Sequence, residues 1–136
     1  MDESILDTDI LSEVLKRKDL SVLANAGRYL GEHQRFAFSE MTVYEISRGL
    51  KAVGATQQLL VFIKIVGASE VLPVSRSVLE KAADLWVEGR SRGLPHEDAD
   101  LIIAATALEY QRVLVTGNTP HYAWIKNLEL SDWRTT

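Results

Sequence analysis

The sequence predicts an α/β protein, a three-layer α/β/α sandwich around a short parallel sheet, on three observations. Short apolar runs at residues 4–7, 36–38, 70–74 and 113–115 alternate with longer stretches of helical apolar spacing. The connections between the runs are long enough to hold the crossover helix that parallel neighbours require. Finally, 136 residues with no internal repeat, low-complexity tract or linker suit one domain, residues 1–136, large enough to bury a core.

Taken in order, residues 4–7 form a strand that ends in an acid. Ile10, Leu11, Val14 and Leu15 then give helical spacing over 10–18. A second helix covers 20–30 and closes at Gly31-Glu32-His33. The strand 36–38 feeds a helix over 42–50, with Gly49 and Gly54 marking a frayed end. Residues 55–66 are helical, and the apolar stretch 59–66, interrupted by Lys64, is expected to face the core. Gly67-Ala68-Ser69 turns the chain into a strand over 70–74, which Pro73 assigns to an edge. Ser75 caps a long helix over 78–90, with Leu79, Ala82, Ala83, Trp86 and Val87 expected on its buried side. After Gly93-Leu94-Pro95 come a helix over 97–110, the wholly apolar strand 113–115 and a small last strand at 128–130.

Composition narrows the function classes. Hydrophobic residues at 46% and charged residues at 25% are ordinary for a soluble globular chain and argue against disorder. With no cysteine, disulfides and thiolate metal sites are excluded, so any metal must sit on oxygen or imidazole ligands. Met1-Asp2-Glu3-Ser4 is acidic where a secretory signal is basic, and no run is long enough to span a bilayer. A cytoplasmic protein without a membrane segment is expected. The net charge of −4 argues against a simple basic nucleic-acid binder. It does not exclude RNA, because cations held by an acidic cluster offset part of that charge.

Four separated stretches put polar groups where a parallel sheet gathers them: Leu6-Asp7-Thr8-Asp9, Ser39 to Glu45, His96 to Asp100, and Thr116-Gly117-Asn118. Ligands of such sheets bind beyond the carboxyl ends of the strands, where strand order reverses, and Asp7 and Asn118 stand at or just past two such ends. Asp7, Glu45 and Asp100 can all face one crevice. Carboxylates held that close repel one another, and a Mg²⁺ or Mn²⁺ ion relieves the repulsion.

In their order and spacing, Asp7-Thr8-Asp9-Ile10, Ser39-Glu40-Met41-Thr42-Val43-Tyr44-Glu45-Ile46, Asp100 leading into a small-residue helix, and Leu114-Val115-Thr116-Gly117-Asn118 resemble the PIN-domain ribonucleases. They are most similar to the VapC-type toxins of toxin-antitoxin pairs, over nearly the whole chain. The resemblance implies a Mg²⁺- or Mn²⁺-dependent endoribonuclease that is held silent by an antitoxin protein and forms a homodimer. It assigns metal binding and catalysis to Asp7, Glu45 and Asp100, with Asp9, Ser39, Thr42, Thr116 and Asn118 in support. Asn118 stands where the family often has a fourth acid; an amide adds an oxygen ligand but no charge, which weighs against a second ion.

Each residue also has a plainer reading. Asp7 could be a helix cap, Asp9 a cap for the helix at Ile10, and Asp98 a cap for the helix after it. Arg48, one turn after Glu45, either pairs with it or reaches a substrate phosphate. His96 and His121 read as solvated loop residues. Lys16-Arg17-Lys18 sits at a helix end, where the dipole favours cations. Two rival functions stay open: a haloacid-dehalogenase-like phosphatase, suggested by Asp7-Thr8-Asp9 but weakened by Leu11, and a catalytically silent PIN-like binding module, suggested by Asn118.

Overall fold

The computed structural model describes residues 1–135; Thr136, the last residue of the expected domain, lies outside the described residues. Five strands and seven helices follow one another as β1 (Ser4–Leu6), α1 (Thr8–Lys16), α2 (Leu20–His33), β2 (Ala37–Ser39), α3 (Glu40–Ala52), α4 (Thr56–Gly67), β3 (Glu70–Leu72), α5 (Arg76–Ser91), α6 (Asp98–Tyr110), β4 (Val113–Val115), α7 (Thr119–Tyr122) and β5 (Leu130–Ser131). Every pairing is parallel. β1, β4 and β5 form one ladder in the order β1-β4-β5, and β2 pairs with β3. β1 and β2 lie against each other, so the two ladders make one layer.

Side chains alternate across a strand, and here the alternation divides the core in two. Ile5, Leu72 and Leu114 point to one face, where they pack with Val78, Ala82 and Leu85 of α5, most of α6, and Tyr122. Leu6, Phe38 and Val115 point to the other, against Ile10, Leu11, Val22, Tyr29, Ile46 and Phe62 from α1 to α4. Both faces are covered, as the expected three-layer sandwich requires. α6 lies deepest, with Leu101 to Ala107 all buried.

Several expected details are corrected. The first helix starts at Thr8 rather than Ile10, because the carboxylate of Asp7 accepts the Thr8 N–H and caps it; Asp9 is already in the first turn and caps nothing. α2 runs on to His33 and ends at Gln34 in the left-handed region, while α3 starts at Glu40 and continues through Gly49 to Ala52. Leu50 is the residue of that last turn that packs against the core. β3 stops at Leu72, since Pro73 donates no ladder hydrogen bond; as expected, it sits at an edge. The last strand is Leu130–Ser131, displaced from 128–130 by a turn through Asn127 at φ 69°.

Two helices bury a narrower face than their apolar content suggests. On α4 only Phe62 is buried, and Leu60, Val61 and Ile63 are each more than half exposed. On α5 the buried stripe is Val78, Ala82, Leu85 and Gly89, while Leu79, Trp86 and Val87 face outward. Gly89 explains that choice. A Cβ at this position would lie 2.9 Å from the Leu94 carbonyl oxygen and 3.4 Å from the Trp124 ring, so the loop after α5 folds back against a bare backbone. We expect Gly89→Ala to lower stability by about 1–3 kcal/mol through overpacking. Gly27→Ala, with nothing within 4 Å, is expected to be neutral or mildly stabilising. Thermal melts of the two variants check this, and equal midpoints would refute the clash.

Candidate active site

β1 is followed by β2 and β3 on one side of the sheet, while β4 and β5 lie on the other. The order therefore reverses between β1 and β4, and the crevice beyond their carboxyl ends is where such sheets bind ligands. Asp7 and Thr116 stand there. The Asp7 N–H donates to the Val115 carbonyl at 2.8 Å, which fixes the first residue past β1 against the end of β4.

Asp7 is 7% exposed, and both of its carboxylate oxygens accept hydrogen bonds. Oδ1 accepts the Thr8 N–H at 2.8 Å, and Oδ2 accepts the Thr116 hydroxyl at 2.8 Å and the Tyr122 phenol at 3.1 Å. Burial, helped by the nearby charge of Asp9, nevertheless pushes its pKa up to about 6, against the pull of those three hydrogen bonds. The residue is both a helix cap and a carboxylate poised near neutrality. These two roles are compatible, because capping uses one lone pair of one oxygen.

Glu45 reaches the same place from α3. Ser39 caps that helix by accepting the Met41 N–H at 3.0 Å, which sets the fully buried Thr42 and then Glu45 one turn later on the side of α1. Thr8 Oγ1 joins the two elements: it donates to Glu45 Oε1 at 2.8 Å and lies 3.1 Å from Thr42 Oγ1. Arg48 Nη2 is 3.7 Å from Glu45 Oε2, and its guanidinium stands 5.0 Å from the Tyr44 ring centre, half exposed.

Asp100, in the first turn of α6, comes in from the third side, and its Oδ2 lies 3.1 Å from His121 Nε2. Tyr122 connects it electrostatically with Asp7: burial first, then the charges of Asp7 and Asp100, raise the phenol far above its ordinary value, so it stays a hydrogen-bond donor. Asp9 sits to one side. Its Oδ2 accepts the Gly117 N–H at 2.9 Å, burial raises its pKa, and a Cβ on Gly117 would lie 2.6 Å from that oxygen. Only a glycine lets the β4 turn come so close.

Asn118 is exposed, makes no side-chain cap to α7 and touches the cluster only through its N–H, which donates to Thr116 Oγ1 at 3.2 Å. The side chain that this segment brings to Asp100 is His121. His96 and His121 are not the solvated residues expected: their rings lie 4.1 Å apart, His96 Nδ1 is 2.9 Å from the Leu94 carbonyl, and Trp124 Nε1 donates to His96 Nε2 at 3.0 Å. Asp98 makes no capping hydrogen bond, and Glu97 holds the cap position. Lys16 to Lys18 end α1, roughly 13 Å along the helix from Asp7. Thr8 and Tyr122 were missed altogether. Pro120, at the start of a helix too short for periodicity to reveal, was the available signal for α7.

Among the described residues, no three His, Cys, Asp or Glu side chains close into a ready-made metal cage. The donor chemistry still suits a hard divalent cation, because Asp7, Glu45 and Asp100 offer carboxylate oxygens, no sulfur competes, and Mg²⁺ takes one or two carboxylates while keeping its waters. A cavity of about 480 Å³ lies elsewhere, near the start of β4, lined by Lys81, Gln111, Arg112, Lys126, Asn127 and Glu129. It sits at the amino end of the strand, and Arg112 is spent on Glu70 at 2.8 Å. It is not the site.

Fold and crevice together define an α/β protein, helix-covered on both faces, with an all-oxygen acidic site at the switch point of its sheet. The model of the PIN domain matches residues 4–123, and the chain belongs to the PIN-domain family. It is 27% identical over 126 residues to a protein named Ribonuclease VapC1 from Methanocaldococcus jannaschii, covering 93% of this chain and 83% of that one. Among solved structures it is similar to DNA-bound VapBC from Salmonella typhimurium, with a TM-score of 0.85, 24% identity and 98% and 99% of the two chains covered. It is also similar to VapBC2 from Rickettsia felis bound to a promoter DNA fragment, with a TM-score of 0.81, 24% identity and 96% and 98% covered.

Proposed function

We propose that this chain, as one PIN domain over residues 1–136, is an endoribonuclease that hydrolyses RNA phosphodiester bonds with Mg²⁺ or Mn²⁺ and serves as the toxin of a toxin-antitoxin pair. The observation that carries the reading is the meeting at the switch point of Asp7 with Glu45, through Thr8, and with Asp100, across Tyr122. The name of the Methanocaldococcus relative supports RNA as substrate, and the VapBC complexes support an antitoxin partner. No helix among the described residues is long and apolar enough to cross a membrane. Leu60, Val61 and Ile63 of α4 form an exposed apolar stripe of the kind partners cover, which supports an antitoxin and a second copy of the chain as partners.

In this mechanism Asp7, Glu45 and Asp100 would hold the cation, whose chemistry when bound would be to lower the pKa of a water and to offset charge on the phosphate. The rest is positioning. Thr116 and Tyr122 fix Oδ2 of Asp7 and leave Oδ1, bonded only to the Thr8 N–H, with a free lone pair for the crevice. Thr8 fixes one oxygen of Glu45, and His121 restrains one oxygen of Asp100. The test is direct. RNA should be cut with Mg²⁺ and left intact with a chelator, and a phosphomonoester should be untouched. A phosphomonoester hydrolysed in place of RNA restores the phosphatase reading, and RNA bound but uncut with either ion restores the silent module.

Arg48 is proposed to hold a substrate phosphate, since it is half exposed beside Glu45. Arg48→Ala is expected to weaken RNA binding and to reduce the slope of log affinity against log salt by about 0.7, with Mn²⁺ binding by the free protein unchanged. A wild-type salt slope in the variant would make Arg48 a pairing residue only.

A further inference from the structure

A second cavity, of about 250 Å³, opens between the last turns of α5 and the start of α6. It is lined by Trp86 and Arg90 of α5, by Leu94, Pro95 and His96 of the following loop, and by Leu101 of α6. That volume is below the roughly 300–1,000 Å³ of pockets for drug-sized ligands, and it suits a single planar ring. Two of these side chains are firmly held. The Arg90 guanidinium lies 4.7 Å over the Trp86 ring, and His96 is fixed at both ring nitrogens, by Leu94 and by Trp124.

The cavity lies two side chains from Asp100. His96, which lines it, packs tilted against His121 with ring centres 4.1 Å apart, and His121 Nε2 is 3.1 Å from Asp100 Oδ2. Trp86 stays 43% exposed on a helix whose buried stripe runs elsewhere, so packing does not account for an indole at this position. A large aromatic face, a cation laid across it, a small cavity beside them and a carboxylate two side chains away form a combination that single-stranded nucleic acid uses. Bases stack on aromatic and guanidinium planes, while cations follow the phosphates.

We propose that this cavity is a nucleobase subsite, in which Trp86 stacks the base of a nucleotide flanking the scissile phosphate and Arg90 meets its phosphate. The inference rests on the ribonuclease reading above and adds to it an unpaired, flipped-out base as the unit recognised. Unpaired RNA presents such a base without the unstacking and unpairing cost that a duplex bears.

The test uses short oligoribonucleotides that are intact or carry one abasic nucleotide, moved stepwise across the cleavage position, with the wild-type protein, Trp86→Ala and the neighbouring exposed control Val87→Ala. At one flanking position the abasic substitution should raise KM for the wild type by about tenfold, the scale of one aromatic–base stack, and leave kcat nearly unchanged. Trp86→Ala should show that raised KM on the intact oligonucleotide and no further loss on the abasic one, and Val87→Ala should behave as wild type. If the wild type cuts RNA and the abasic penalty persists undiminished in Trp86→Ala, or no position shows a penalty, the subsite is wrong and the nuclease reading stands. If the wild type cuts no RNA, the nuclease reading fails and the subsite fails with it.

Discussion

Asp7→Asn is expected to reduce RNA cleavage by on the order of a thousandfold or more, the scale of losing a group that stabilises developing charge, while making the metal-free protein more stable at neutral pH. Both effects come from one side chain. Asp7 is buried and its pKa is raised from 3.8 to about 6, so at pH 7 the fold holds an anion that the unfolded chain would hydrate better. Between those two values the native state binds more protons than the unfolded state, so stability falls as pH rises from about 4 to 6 and the cost is fully present above 6. A rise of that size corresponds to about 3 kcal/mol. Part of the gain is lost because the amide offers the Thr116 and Tyr122 hydroxyls a poorer acceptor. A net rise of about 1–2 kcal/mol, or several degrees in melting temperature, remains. Melts of chelated protein at pH 7.5 and pH 4 check the sign: the advantage should shrink at the acid pH. A lower midpoint for the variant at pH 7.5 would make Asp7 a purely structural cap.

Mn²⁺ affinity is expected to fall about tenfold or more in Asp7→Asn and, independently, in Asp100→Asn, because a hard cation's affinity follows the number of charged oxygens around it. Calorimetric titration of the folded variants measures this without reference to RNA. The double variant should lose little beyond the worse single one if both carboxylates serve one ion, since the second removal acts on a site already underliganded. Fully additive losses would indicate two separate ions, and unchanged affinity in either single variant would remove that residue from the site.

The layers and the alternation of strands with helices were readable in the sequence because parallel strands buried on both faces are short, wholly apolar runs. Val113-Leu114-Val115 is the cleanest case, and it matches β4 residue for residue. What escaped was decided by contacts between distant segments. Which of Asp7 and Asp9 caps α1 depends on Gly117 taking up the Asp9 carboxylate, 108 residues away. The buried stripe of α5 depends on the loop folding back onto Gly89, so counting apolar residues chose a neighbouring stripe from Leu79 to Val87, of which only Ala82 is buried. α4 carries more apolar surface than its own chain covers, and patterning cannot separate a core face from a surface left for partners. The placement of Asp7, Glu45 and Asp100 around the crevice was legible from their positions relative to strands and helices, and so were Thr42 and Thr116 beside them. The contacts of Thr8, Tyr122 and His121 were not, since a lone threonine, tyrosine or histidine carries no periodicity.

The bond between the Thr116 hydroxyl and Asp7 closes a loop of 109 residues, and that from Tyr122 closes one of 115. A chain made from its amino end therefore releases Asp7 long before the residues that complete its surroundings. Until β4 and the short helix after it have left the ribosome, β1 lacks its ladder partner and Asp7 lacks two of its three donors. For an enzyme that cuts RNA, this order of assembly separates in time the making of a carboxylate from the making of the groups that position it.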